Sequence, residues 1–480
     1  MAKIHVAMFP WFAIGHITPY IHLANELAAR GHKVTLLLPN KTQLHFQHLR
    51  HYPNLLTFHP IVVPHVDGLP LGAETASDVP YPQHALLAAA MDRTRDQVQD
   101  FLFAYKPQLL FYDFAHWLPA MAKKVGTTVS VYYSAVSASS SAFAMVPSLK
   151  VPHDRPATER DLKDPPPGYP SSVVVHRSSE ELRGMLVIFE PFGEGGVTLY
   201  GRITAAMRNS DVIGLRTCRE VEGKYCDYIG EQYGKPVLLT GPILPEVEEE
   251  EEEEEEDRLW SDWLGGFEPG SVVFCAFGSQ HVLEKDQFQE LVLGFELSGS
   301  PFLIVLKPPV GCETVEEALP EGFKERTMGR GVVHGGWVKQ RWILSHRSVG
   351  CFVSHCGFGS MWESLLSDNQ IVLVPNLGDQ ILNARLLADE LKVAVELERG
   401  EDGRFSKESL SKAIKSVMDL ESEVGIMVRN NHTKWREELG KPGFMSGYVD
   451  KFVECLKELV YQKHRDKLEL LCYFSKVCEK

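Results

Sequence analysis

Short apolar runs alternate with longer amphipathic stretches along most of this chain. Ile4 to Phe9 and Lys33 to Leu38 are apolar enough for strands buried on both faces. Between them Ile21, Ala24, Leu27 and Ala28 recur at helical spacing. Thr18 is the expected N-cap of that helix, Pro19 its first residue and Gly31 its end, which leaves Pro10 to His16 as a loop. Strand, helix and strand in this order predict a βαβ unit, hence a parallel sheet with a right-handed crossover. Further strands are expected at Leu56 to Ile61, Gln108 to Tyr112, Val129 to Tyr133, Asp211 to Leu215 and Val237 to Leu239, with a helix over Asp92 to Tyr105. A second series opens at Ser271 to Phe277 and runs through Phe302 to Lys307, Val332-Val333, Val349 to Val353, Ile371 to Val374 and Val393 to Leu397. Helices are expected at Glu284 to Leu297, at Met361 to Ser367 and from about Lys407. In the tail, Val449, Phe452, Val453, Leu456, Leu459 and Val460 again stand at helical spacing.

Two such series predict an α/β protein with two doubly wound, Rossmann-like domains, 1–240 and 258–446, joined by a linker at 241–257 and followed by a helical tail, 447–480. A length of 480 residues suits two domains. Charge changes the picture only at the linker. With Glu246, Glu248 to Glu256 and Asp257 set aside, the net charge of −15 falls to −4. The acidic run reads as a self-repelling, solvated spacer, and nucleic acid is not an expected partner. The nine cysteines are odd in number and scattered, as for reduced thiols in a cytoplasmic protein. No signal-peptide pattern precedes Ile4, no run reaches the ~18 apolar residues of a membrane span, and a monomer is expected.

The chemistry concentrates in Trp337 to Gln380. Val349 to Val353 is a buried strand, Ser354 to Ser360 a small Gly-rich loop, and a helix follows at once. Strand, tight loop and helix start together make an anion site, because free N–H groups and the positive helix end point the same way. The stretch offers a flat aromatic, Trp337. It offers phosphate donors in His355, the Gly357 and Ser360 backbone and the Ser360 hydroxyl. It offers hydroxyl-binding carboxylates in Glu363 and Asp379. That set suits a base, a diphosphate and a sugar.

From Trp337 through Gln340, Leu344, His346, Gly350, Phe352, His355-Cys356-Gly357, Ser360, Glu363, Pro375 and Asp379-Gln380, this window resembles the donor-binding signature of the plant family 1 UDP-glycosyltransferases. The resemblance implies a GT-B fold, two such domains facing across a cleft, with the tail crossing back to the first. It implies that Trp337 stacks on uracil and that Gln340 lies against uracil and ribose. Glu363 would hold the ribose hydroxyls, His355 with Gly357 and Ser360 the diphosphate, and Asp379 and Gln380 the sugar. Val338 and Ser279 complete the expected donor set. Lys339, Arg341 and Trp342 depart from the usual pattern, and Phe358-Gly359 stands where Trp-Asn is commoner. Phe-Gly there resembles the subgroup that extends the sugar of an existing glycoside.

Sugar transfer needs an acceptor oxygen made nucleophilic, and a histidine is the efficient base for that near neutral pH. His16 follows the first strand and Asp113 the Gln108 to Tyr112 strand, so topology brings both to one sheet edge. Gly15-His16-Ile17-Thr18-Pro19 and Tyr112-Asp113-Phe114-Ala115-His116-Trp117 resemble the family's base and partner segments. His16 is therefore the expected base and Asp113 its orienting carboxylate. Phe12, Gly15, Phe114, Trp117, Tyr132 and Tyr133 are the candidate acceptor contacts. One base opposite the leaving group implies inversion. No Asp-x-Asp occurs, and neither a metal nor another cofactor is expected. The expected substrates are a UDP-sugar, UDP-glucose first, and a plant small molecule, a flavonoid or terpenoid or steroid glycoside. A dehydrogenase would need G-x-G-x-x-G, and Gly357 to Trp362 lacks its third glycine. A hydrolase would need G-x-S-x-G, which neither Gly278-Ser279 nor Gly359-Ser360 provides. A silent nucleotide-sugar binder need not keep His16 or Asp113, and this chain has both.

Overall fold

The computed structural model describes residues 3–127, 129–134, 136–152, 155–244, 255–278, 281–376 and 378–478, without the side chains of 255–257 and 466–478. The expected linker therefore falls largely outside the described residues, as does Ser279. The chain divides into two compact units. The first comprises 1–170, 186–243 and 443–480, the second 171–185 and 244–442.

The first unit is built on seven parallel strands: β1 (His5–Phe9), β2 (Lys33–Pro39), β3 (Leu56–Ile61), β4 (Leu109–Tyr112), β5 (Val129–Ser134), β6 (Val212–Leu215) and β7 (Val237–Leu239). Their spatial order is β3-β2-β1-β4-β5-β6-β7. All residues of β4, β5 and β6 are buried, as in a sheet covered on both faces. The order reverses between β1 and β4, where Phe9 pairs with Tyr112. The crevice at the carboxyl ends of those two strands is a topological switch point, the usual ligand position in such sheets.

The helix after β1 spans Ile14–Ala29 and corrects the expected start. Ala13, not Thr18, is the N-cap, and its carbonyl accepts from the N–H groups of His16 and Ile17, both at 2.9 Å. Pro19 lies inside the helix. A proline in a helix interior costs about 3 kcal/mol or more. Burying Ile17, Tyr20, Ile21 and Leu23 on the same helix returns about 1.5–3 kcal/mol per side chain, so packing overrides the local signal. His16 thereby sits in the first helical turn. The helix expected over Asp92 to Tyr105 spans Arg95–Tyr105, and Asp92 instead ends a separate helix, His84–Asp92. The tail is one helix, Phe444–Cys478. Val449, Phe452, Val453 and Leu456 join the core beneath β1, β2, β4 and β5. Tyr448 donates its hydroxyl to Glu220 at 2.7 Å and accepts from the Arg219 N–H at 2.8 Å, pinning the tail to the first unit.

The second unit has six parallel strands: β8 (Val272–Ala276), β9 (Phe302–Val305), β10 (Gly331–His334), β11 (Val349–Ser354), β12 (Gln370–Leu373) and β13 (Val395–Glu396). Their order is β10-β9-β8-β11-β12-β13, so the switch point lies between β8 and β11. Segment 171–185 belongs to this unit through charge pairs. Glu181 meets Arg385 at 2.9 Å and Arg177 meets Asp389 at 2.7 Å. No described helix is long and apolar enough to cross a membrane.

Candidate active site

At the first switch point, His16 Nδ1 lies 2.7 Å from Asp113 Oδ2. Asp113 is buried, and its other oxygen accepts from the Trp11 N–H at 2.7 Å and from its neighbour Phe114 N–H at 2.5 Å. The carboxylate is thus fixed before it meets the imidazole. The Phe114 ring stands edge-on to His16 with centroids 5.1 Å apart. His16 keeps 17% of its side-chain surface, and with Nδ1 taken by Asp113 the nitrogen left for chemistry is Nε2.

The other expected first-unit residues divide by burial. Phe114 and Trp117 are half-buried near the dyad. The Trp117 indole N–H is committed to Asp92 Oδ1 at 2.8 Å. Phe12, Tyr132 and Tyr133 are almost wholly buried. Tyr133 packs with Phe111 and Tyr20 in the core, and its hydroxyl meets that of Thr240 at 3.3 Å. Gly15 is a helix residue with open space where a Cβ would stand.

At the second switch point, the loop after β11 turns sharply at Cys356, whose φ of +67° is unusual for a side chain with a Cβ. The turn lets Gly357 cap the helix Phe358–Leu366. Its first intrahelical bond runs from the Met361 N–H to the Gly357 carbonyl, so the N–H groups before it have no acceptor within the helix itself. The His355 ring fits between two glycines. A Cβ on Gly357 would stand 2.6 Å from His355 Nε2, and one on Gly278 would stand 3.1 Å from it. Burial pushes the His355 pKa down to about 4. The nearby His281 adds to this, and the Ala276 carbonyl partly opposes it. Burial, then the Arg399 charge, likewise brings His281 to about 4. His355 is therefore neutral near pH 7, and positive potential must come from the helix end instead.

The chain brings Gln340, Ser360 and Glu363 together. Gln340 Nε2 donates to Ser360 Oγ at 3.0 Å and to Glu363 Oε2. Trp337 is 71% exposed, whereas Val338 turns its side chain into the core with Trp260 and Phe274. Asp379 opens the helix Asp379–Arg385. Gln380 Oε1 accepts from the Asn376 N–H at 3.0 Å, and the Asn376 amide meets His281 Nδ1 at 3.1 Å.

Sequence reasoning missed His281, Asn383 and Arg399. Asn383 donates to both Asp379 and the Cys356 carbonyl, at 3.2 and 2.9 Å. Its place four residues after Asp379 on one helix was the available signal. Arg399 donates to the Pro375 carbonyl at 2.5 Å and the Gly403 carbonyl at 2.7 Å, and nothing in its sequence context pointed there. Among the described residues, no cluster of three or more His, Cys, Asp or Glu side chains could hold a metal ion.

Residues 316–430 match the family described as UDP-glucoronosyl and UDP-glucosyl transferase. The chain is 56% identical over 460 residues to UDP-glycosyltransferase 79B3 of Arabidopsis thaliana, covering 95% of this chain and 98% of the relative. It is 54% identical over 462 residues to an Arabidopsis thaliana anthocyanidin 3-O-glucoside 2'''-O-xylosyltransferase, covering 96% and 98%. Among solved structures, Glycyrrhiza uralensis UGT73P12 complexed with glycyrrhetinic acid 3-O-monoglucuronide matches with a TM-score of 0.79 at 21% identity, covering 99% of this chain and 100% of the other. That likeness identifies the fold as GT-B. With most positions shared across nearly the whole length of curated relatives, the chain belongs to the plant family 1 UDP-glycosyltransferases and is a UDP-glycosyltransferase.

Proposed function

We propose that this enzyme transfers a sugar from a UDP-sugar to a sugar hydroxyl of a flavonoid-type glycoside, in one displacement that inverts the anomeric carbon. The observation that carries the reading is the 2.7 Å contact between His16 and a buried carboxylate already fixed by the backbone. Asp113 holds the proton of His16 on Nδ1 and leaves Nε2 as the proton acceptor. The acceptor hydroxyl gives its proton to Nε2, its oxygen bonds to the anomeric carbon, and the bond from that carbon to the diphosphate oxygen breaks. UDP carries away the electron pair. The N–H groups at the start of the helix Phe358–Leu366 and one N–H of neutral His355 would meet the developing diphosphate charge. Trp337 would stack on the base, Gln340 and Glu363 would hold uracil and ribose, and Asp379 and Gln380 the sugar. The proton and electron balance closes without a metal or another cofactor. The protein would act as a cytoplasmic monomer.

The acceptor class draws support from the relative named for adding xylose to an anthocyanidin glucoside. Asp379-Gln380 favours UDP-glucose as donor. That relative's name favours UDP-xylose as the second reading. Product analysis by mass spectrometry tests both. Purified protein receives UDP-glucose, UDP-xylose, UDP-rhamnose or UDP-galactose, each against aglycones and their monoglucosides. A single sugar added only to monoglucosides is expected. Addition to free aglycones would remove the sugar-extending reading and keep the enzyme class.

A further inference from the structure

We infer that Arg202 and Asp92 are positioning residues for the His16–Asp113 dyad, acting through the backbone of Phe114. The inference rests on the proposed reading of that dyad as the proton-accepting pair.

Arg202 and Asp92 form an ion pair with both side chains fully buried. The pair is bidentate, with Nη2 at 2.6 Å and Nη1 at 3.0 Å from the two carboxylate oxygens. Arg202 Nη1 also donates to the Phe114 carbonyl at 3.1 Å. Nε and Nη2 donate to the Phe192 carbonyl at 3.1 and 2.8 Å. Every N–H of the guanidinium is thereby used. Asp92 further accepts from the Trp117 indole at 2.8 Å and the Glu194 N–H at 3.0 Å. The fit leaves no slack at Gly193, where φ is +98° and a Cβ would stand 1.9 Å from Arg202 Nη2 and 2.6 Å from Asp92 Oδ2.

Such a pair is a costly way to hold helices together. Burying two charges costs several kcal/mol per ion, and apolar residues of like volume often serve stability as well or better. What a guanidinium supplies and a methionine does not is fixed direction. Here it fixes Phe114 and Phe192, whose rings both lie against Trp11, at centroid distances of 5.4 and 5.6 Å. Trp11 donates its N–H to Asp113, Phe114 follows Asp113 in the chain, and the Phe114 ring touches His16. Each neighbour that sets the dyad's geometry is therefore anchored, at one remove, to Arg202.

The test uses Arg202→Lys, which keeps charge without the fork, and the double variant Asp92→Leu/Arg202→Met, which leaves no unpaired charge. His16→Ala is measured beside them. UDP affinity, read by calorimetry, reports on Trp337 to Gln380 in the other unit. The expected result for both variants is unchanged UDP affinity and donor KM, with kcat lower by about tenfold to a hundredfold. Wild-type kcat in Arg202→Lys or in the double variant, with His16→Ala inactive, would make the pair a fold element only. Arg202→Lys decides alone where the double variant does not fold. A joint loss of kcat and UDP affinity in Arg202→Lys would mean general loss of structure and would also overturn the inference. A fully active His16→Ala protein would remove the dyad reading itself.

Discussion

The two switch points each carry a histidine, and the two are opposites. His16 is part-exposed and backed by a buried carboxylate at 2.7 Å. His355 is wedged between glycines, its Nδ1 is buried, and burial pushes its pKa down to about 4. A carboxylate on one nitrogen orients an imidazole and stabilises it once it has taken a proton. Burial without a carboxylate keeps the ring neutral, so it can donate one hydrogen bond and carries no charge. On the proposed reading, one residue type on one fold motif would serve base chemistry in the first unit and neutral hydrogen bonding in the second. The surroundings, not the residue, make the assignment.

The comparison breaks first if the wrong histidine proves to be the base. His16→Ala is expected to lower kcat by about 10³-fold while UDP affinity holds. Wild-type turnover would end the base assignment. Asp113→Asn should cost at least about 10²-fold in kcat, the low end of what general base catalysis supplies, because the amide can turn the ring to the wrong tautomer, again with UDP affinity unchanged. The reverse pattern is expected from the second unit. Gly357→Ala forces the His355 ring to move, and UDP binding should weaken about tenfold. Trp337→Ala, which removes an exposed stacking face, should raise the UDP dissociation constant by a similar factor. If either substitution lowered kcat and left UDP affinity alone, the division of labour would be wrong.

The smallest effect concerns acid stability. His176, His281 and His355 in the second unit are each brought down to about 4 from the ordinary 6.5, all chiefly by burial. In the first unit His116 is brought equally low, while His5, His32, His59 and His84 are lowered less. A group depressed on folding contributes stability that is fully present above its unfolded pKa and lost as pH falls through its folded one. Between pH about 6.5 and 4 the unfolded chain binds more protons, so stability should fall with falling pH. Amide hydrogen exchange followed by peptide should show the second unit opening more steeply over that window. Equal slopes in both units would show that burial of the three histidines does not set acid lability.

The strands of both sheets were legible in the sequence because parallel strands are buried on both faces and read as plain apolar runs. The candidate donor residues could be picked out for a related reason. Trp337, His355, Gly357, Ser360 and Glu363 lie within one continuous stretch, so their residue types and spacing could be read together. His16 and Asp113 could be placed at one sheet edge from topology, but their 2.7 Å contact required the parallel pairing of β1 with β4. Thr18 and Pro19 misled because capping signals are worth less than the burial that carried the helix back to Ile14.

What the sequence by itself determined, then, is the family, the alternation of strands and helices, and the residue types at both switch points. Tertiary structure alone decided which aromatics are core, that Trp117 is committed to Asp92, and that His355 is neutral. It also decided that Arg202 and Asp92, 110 residues apart, meet behind Phe114. The physical reason is range. Periodicity and turn chemistry act over a few residues, whereas desolvation and ion pairing depend on what the folded chain brings near from far away.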